Sequence, residues 1–366
     1  MLIKNSKRLV IKVGSALTAP GNSGCSSKHL KNIANFIQNC RRQDTQVILV
    51  SSGSVAAGRQ WFTSKKPSKA LKKAMAAAGQ TDMMAVWGEL LDMPLAQMLL
   101  THADLCDRER YVSIKETIES LLDHGLLPIV NENDVVTSDE LKVGDNDNLA
   151  AMTAAAVDAD TLIMCTDVDG FYDKNPQSYS DAKLLQRVLE ITPLIYSMAT
   201  GSVSSTGTGG MLTKIEAAEK AMAYGIHTYI VNGFDSLSLE LLSNGGNPGT
   251  HFLPNENPLS PAIHWMTHTV RECGEVIIED GKSNFFGSGQ MLTSEKMLEV
   301  NGQFSVGDSI LVSSRDGKKV VKAKANYSSC LLNHIVQQQD VDSIEEQTPP
   351  QKYSLVSKEH LAVLES

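Results

Sequence analysis

The chain has 366 residues, of which 42% are hydrophobic, and a formal net charge of −9. That length allows two or three domains with a large core, and the acidic balance excludes a general nucleic-acid binder, which carries a basic footprint. No apolar run is long enough to span a membrane and the N-terminus lacks a signal-peptide pattern; the six cysteines are scattered without a Cys-x-x-Cys pair, which predicts free thiols, no structural zinc and a reducing, cytoplasmic setting.

Arg8–Val13 reads as a short strand that carries Lys12 and ends at Gly14. His29–Cys40 has apolar residues at helical spacing. Val47–Val50 is a second strand, ending at Ser51-Ser52-Gly53-Ser54. Met75, Met83, Met84, Met93 and Met98 cluster, and are read as packing in a core or subunit interface. Ser113–Leu122 is an amphipathic helix. Leu126–Val130 is a third strand, ending in an acidic, amide-rich turn, Asn131-Glu132-Asn133-Asp134. A second such turn, Gly144-Asp145-Asn146-Asp147-Asn148, precedes an alanine-rich helix over Leu149–Val157. Thr161–Cys165 is a fourth strand, ending at Thr166-Asp167. A glycine-rich turn, Thr206-Gly207-Thr208-Gly209-Gly210-Met211-Leu212-Thr213, runs into a helix over Lys214–Tyr224, and Thr228–Val231 is a fifth strand.

Continuous apolar runs of this kind suit strands covered on both faces. Their alternation with helices predicts an α/β domain, a mainly parallel open sheet sandwiched by helices. Ligands of such sheets sit beyond the carboxyl ends of the strands, where Lys12, Ser52, Asn131 and Asp167 all fall. After Phe252 the pattern changes. Pro254, Pro258 and Pro261 lie in a polar stretch read as non-helical. Short β runs follow over Glu275–Ile278, Met297–Val300, Ser309–Val312 and Val320–Ala323, with turns at Gly302, Gly307-Asp308 and Asp316-Gly317. They predict a small β-rich domain. The expected division is a first domain over 1–256, a linker over 257–271, a second domain over 272–350 and a polar tail over 351–366.

Backbone N–H groups of the glycine turn and the ammonium of Lys214 suit phosphate. The turn is not a Walker A loop, because Thr213 rather than glycine precedes the lysine. Lys12, followed by Val13-Gly14-Ser15, offers a second cation. Two lysines can flank a transferring phosphoryl group, a reaction that needs positioning and charge neutralisation more than covalent help. A carboxylate acceptor is ionised at pH 7 and requires no general base, consistent with His102, His124 and His227 occurring singly, as structural residues. Crowded carboxylates and amides in the two acidic turns suit a cation, either an α-ammonium group or Mg²⁺. Asp134, Asn146 and Ser52 are candidates to hold an amino-acid acceptor; turn capping is the alternative reading of each. Asp147 would orient a phosphate-binding lysine or help manage Mg²⁺, and Thr166 and Asp167 would meet the nucleotide.

These stretches, together with Ala77-Ala78-Gly79-Gln80, Asp107-Arg108-Glu109-Arg110, Lys142–Asn148 and Thr166-Asp167-Val168-Asp169-Gly170, resemble the glutamate 5-kinases of the amino acid kinase family, over nearly the whole chain. The resemblance implies the amino acid kinase fold and ATP-dependent, Mg²⁺-assisted phosphorylation of the side-chain carboxylate of L-glutamate, the first step of proline synthesis. By position it implies ATP contacts from Lys12, Thr166, Asp167, Thr208, Gly209, Gly210, Met211, Leu212, Thr213 and Lys214. Glutamate would be held by Ser52, Asp134 and Asn146, and Asp147 would organise the catalytic lysines. It also implies a homo-oligomer and feedback inhibition by proline at the glutamate site. A non-catalytic sensor of glutamate or proline with the same fold is the alternative. The C-terminal part resembles a PUA domain through Val300–Phe304, Gly307-Asp308 and Asn326–Ser329. It departs from that pattern at Leu292–Met297 and at Ala323-Lys324, so RNA binding is not expected. Ser54 stands beside Ser52 where alanine is common in the family.

Overall fold

The computed structural model describes residues 3–22, 24–64, 66–137, 146–200, 210–279, 297–339 and 354–364. It divides into two compact units, Met1–Leu259 and Ser260–Ser366. The first is built on eight strands: β1 (Arg8–Val13), β2 (Gln46–Ser51), β3 (Leu95–Leu100), β4 (Leu127–Glu132), β5 (Thr161–Thr166), β6 (Arg187–Val188), β7 (His227–Asn232) and β8 (Thr250–Phe252). Their order across the sheet is β3-β4-β2-β1-β5-β7-β8-β6. Pairing is parallel from β3 through β7, and β8 runs antiparallel to β7. All five strands expected from sequence are present. Parallel pairing sets their carboxyl ends on one edge, so Lys12, Ser52, Glu132 and Thr166 lie on that edge together.

Leu9, Val10, Ile11, Val47–Val50 and Leu162–Cys165 are fully buried, as strands covered on both faces require. The helix Ser27–Arg42 buries Leu30, Ile33, Phe36, Ile37 and Cys40 against this sheet. It is capped by Ser26, whose hydroxyl accepts from the Lys28 N–H. The long helix Lys69–Leu90 places Met75 and Met83 in the core, and Met84 and Met93 pack against it, as expected for the methionine cluster. Pro128 sits in β4 opposite Ala96 of β3, whereas pairing with β2 begins at Ile129. Proline is therefore accommodated where the ladder on its other side has not started. All six cysteines carry free thiols, with Cys40 and Cys165 buried. Among the described residues no helix is long and apolar enough to cross a membrane.

The second unit has β9 (Gly274–Ile278), β10 (Met297–Gly302), β11 (Ser309–Ser314), β12 (Lys319–Ala325) and β13 (Val356–Val363), in the order β10-β9-β11-β12-β13. Val276, Val300, Phe304, Ile310, Val312, Val321 and Leu332 form its own core. Two expectations need correction. The stretch read as a linker holds a helix, Pro261–His268, with Ser260 as its cap and Pro261 in its first turn. Proline is tolerated there because the first N–H groups of a helix have no partner inside it, so Pro261 starts the helix instead of preventing it. The stretch read as a tail contributes β13, which pairs antiparallel with β12; Ser357-Lys358-Glu359-His360, four polar residues in its middle, hide the strand in the sequence. The turn at Leu292–Lys296 lies outside the described residues.

Candidate active site

Asp147 is the centre of the arrangement. It lies in the first turn of the helix Asn146–Ala156, which begins earlier than the alanine run alone indicates. The helix is buried along nearly its whole length, and its small side chains let it pack closely on β1 and on the helix Met211–Tyr224. Lys12 arrives from the end of β1 and Lys214 from the first turn of Met211–Tyr224. Lys12 Nζ lies 2.5 Å from Asp147 Oδ1 and Lys214 Nζ 3.0 Å from Asp147 Oδ2. Thr213 Oγ1 also donates to Oδ2, at 3.1 Å. Asp147 is 0% exposed, Lys12 6% and Lys214 7%. Burial alone would raise the Asp147 pKa; the Lys12 and Lys214 ammonium groups outweigh it and hold the carboxyl far below the usual range. Two ammonium groups share one carboxylate, so these three side chains carry a net positive charge in a desolvated place. The Met211–Tyr224 helix adds to it. Its N-cap is Gly210, which has no side chain to cap the first N–H groups. Such a setting favours an anion.

Asn146 precedes Asp147 in the same helical turn, so the two side chains diverge by about 100° around the axis. Asn146 faces the end of β4. Its Nδ2 donates to Asn131 Oδ1 at 2.9 Å, and its Oδ1 accepts from the Glu132 N–H at 3.3 Å. Asn131 Nδ2 in turn donates to Gln80 Oε1 at 2.8 Å. Beside these amides lies a cavity of about 400 Å³ lined by Ser54, Gln80, Glu132, Asn133 and Asp134. Ser54 Oγ donates to Asp134 Oδ2 at 3.0 Å. Ser52 is buried at the end of β2, its N–H bonded to the Val13 carbonyl. At the end of β5, on the other side of β1 from β2, Thr166 Oγ1 donates to Asp167 Oδ1 at 3.1 Å.

The fold therefore brings Lys12, Thr213, Lys214 and Asp147 into direct contact. It sets Ser52, Asp134, Asn146, Thr166 and Asp167 along the same strand ends, and Gly210, Met211 and Leu212 at the start of the lysine-bearing helix. Asp134 lines the cavity; Ser52 and Asn146 do not line it themselves. Thr208 and Gly209 lie outside the described residues, as do Lys142, Gly144 and Asp145. The amino acid kinase family matches residues 7–232, a span that holds every one of these groups. This chain belongs to the amino acid kinase family. A protein named Glutamate 5-kinase 1 from Pseudoalteromonas translucida (strain TAC 125) is 52% identical over 363 residues, covering 99% of this chain and 98% of that protein. A Glutamate 5-kinase from Idiomarina loihiensis is 48% identical, covering 98% of each. One from Salinibacter ruber is 44% identical, covering 90% of this chain and 89% of that protein.

Two features of this amino acid kinase escaped the motif reading. One is the role of Asn131, the last residue but one of β4, which joins Asn146 to Gln80. The other is how Ser54 and Gln80 come to share a cavity. The helix Ser54–Gly58 crosses Lys69–Leu90 where Gly58 meets Gly79. A Cβ on Gly79 would lie 1.9 Å from the Ser54 carbonyl oxygen and 2.3 Å from the Gly58 nitrogen. Both are backbone atoms that no rotamer change can move. In an open helix Gly→Ala stabilises by about 1 kcal/mol; here Gly79→Ala is expected to destabilise by about 3 kcal/mol through overpacking. Urea unfolding measures the difference, and an unchanged or raised midpoint would show that the two helices are not in backbone contact.

Proposed function

We propose that this chain transfers the γ-phosphoryl group of ATP to the side-chain carboxylate of L-glutamate, giving ADP and L-glutamyl 5-phosphate, the first step of proline biosynthesis. The observation that carries the reading is the buried Lys12–Asp147–Lys214 contact, a preformed cationic pair at the strand ends, beside a cavity lined by Asp134. A carboxylate oxygen of glutamate attacks the γ-phosphorus while the bond to the β,γ-bridging oxygen breaks, its electron pair leaving on ADP. No proton is removed, because the acceptor is already ionised. Lys12 and Lys214 neutralise charge on the migrating group, and Asp147 fixes both ammonium positions before substrate arrives.

In this reading Gly210–Lys214, with Thr208 and Gly209 ahead of them, line the nucleotide phosphates, and Thr166 and Asp167 meet the rest of ATP. Asp134 faces the α-ammonium of glutamate, with Ser52 and Asn146 bonding its polar ends. Mg²⁺ carried by the nucleotide would supply further charge neutralisation on its phosphates. Asp147, with an ammonium group on each oxygen, is not suited to hold it; Asp167, which accepts one hydroxyl, is the carboxylate that would. The family resemblance supports a cytoplasmic homo-oligomer with proline as a feedback inhibitor at the glutamate site, and the departures from the PUA pattern at Leu292–Met297 and Ala323-Lys324 support no RNA partner for the second unit.

The test is ADP release with glutamate, aspartate or N-acetylglutamate as acceptor, with and without proline, together with hydroxylamine trapping of the acyl phosphate. Glutamyl hydroxamate should form only with ATP, Mg²⁺ and glutamate. Tight glutamate or proline binding with no ADP release would instead establish a non-catalytic sensor, a reading that the intact lysine–aspartate contact disfavours.

A further inference from the structure

We propose that Gln80 is a positioning residue for glutamate, acting through Asn131 on Asn146; the inference rests on the functional reading above. Three amides form a chain with a defined direction. Gln80 Oε1 accepts from Asn131 Nδ2, and Asn131 Oδ1 accepts from both Asn146 Nδ2 and the Glu132 N–H. Turning the Asn131 amide over would face its NH₂ toward these two donors and lose both bonds. Gln80 supplies the acceptor that completes the favourable orientation, and that orientation decides which atoms Asn146 has left for a ligand.

Gln80 itself is 7% exposed, and its Nε2 is a buried donor without a hydrogen-bond partner among the described residues. A buried amide with an unmatched donor is unfavourable for folding. Methionine would fill the same space in this alanine- and methionine-rich helix without that defect. Retaining glutamine at the wall of the acceptor cavity is thus accounted for by its oxygen and the chain it terminates. Gln80 touches no reacting atom in this scheme, so its effect falls on acceptor binding and not on phosphoryl transfer.

Gln80→Met removes the acceptor, keeps the volume and removes the unmatched donor. The full-length variant is expected to raise KM for glutamate about ten-fold, with kcat and KM for ATP within two-fold of wild type and the melting temperature unchanged or slightly raised. In an Asn146→Ala background the same change should move KM for glutamate by less than two-fold, since the residue it acts through is gone. Unchanged KM in Gln80→Met, or effects that multiply in the double variant, would overturn the inference while wild-type turnover leaves the functional reading standing. Absence of turnover in the wild type would overturn that reading, and this inference with it.

Discussion

Lys214→Ala is expected to lower kcat by about 1,000-fold, the scale on which removing one preorganised charge donor acts in transfer reactions. The loss should appear in kcat more than in KM for glutamate, because Lys214 is bonded to Asp147 and has no bond to the Asn146–Asn131–Gln80 amides beside the acceptor cavity. Lys12→Ala should cost about as much, and the double variant far less than the product of the two, since both lysines act on one migrating group and are held by one aspartate. Circular dichroism and thermal melting would confirm that folding survives, as the remaining lysine still balances Asp147. A Lys214→Ala enzyme with wild-type turnover would remove this residue from the chemistry.

Asp147→Asn should have a different signature. It leaves two buried ammonium groups facing one another with no counter-charge, and breaking a buried ion pair in this way costs about 3–5 kcal/mol. A fall in melting temperature on the order of 10 °C follows for a unit of this size, with turnover lost as well. The pH dependence is fixed by sign. The Asp147 carboxyl is held below its ordinary value by Lys12 and Lys214, against burial. Its contribution is therefore fully present above the unfolded carboxyl pKa of about 4 and is lost as pH falls below that through the folded value. Between pH 5 and 8 the wild-type stability should not change on account of this group. The difference in stability between wild type and Asp147→Asn should be constant there and shrink only in acid. A difference that closes near pH 6 would mean the carboxyl is not held by the two ammonium groups.

Much of this architecture was legible because its strands are continuous apolar runs. Val47–Val50 and Thr161–Cys165 suit strands buried on both faces, and their polar ends mark the ligand edge. Leu95–Leu100 was not legible. It is an edge strand of its sheet, only its last residue, Leu100, is buried, and Gln97 interrupts its apolar run. The helix Lys69–Leu90 was equally obscure, since alanines, lysines and methionines spread around it leave little contrast between faces. Lys12, Asp147 and Lys214 were each visible as residues of chemically suggestive turns. Their contact was not, because residues 12, 147 and 214 meet only when β1 and two helices pack, and nothing local encodes that distance. Gln80 was visible only as part of a motif; its meaning comes from Asn131, fifty-one positions away. Pro261 was misread because a proline in the first helical turn looks, in sequence, like a proline that forbids one.

The most direct test of the phosphoryl site is a crystal structure of the protein with ADP, Mg²⁺, a planar phosphoryl mimic such as aluminium fluoride, and L-glutamate. The mimic should lie with its ligands about 3 Å from the ammonium nitrogens of both Lys12 and Lys214, and the glutamate side-chain carboxylate should point at it from the cavity of Asp134. A mimic that contacts neither lysine, or a glutamate bound away from Asp134 and Asn146, would contradict the account.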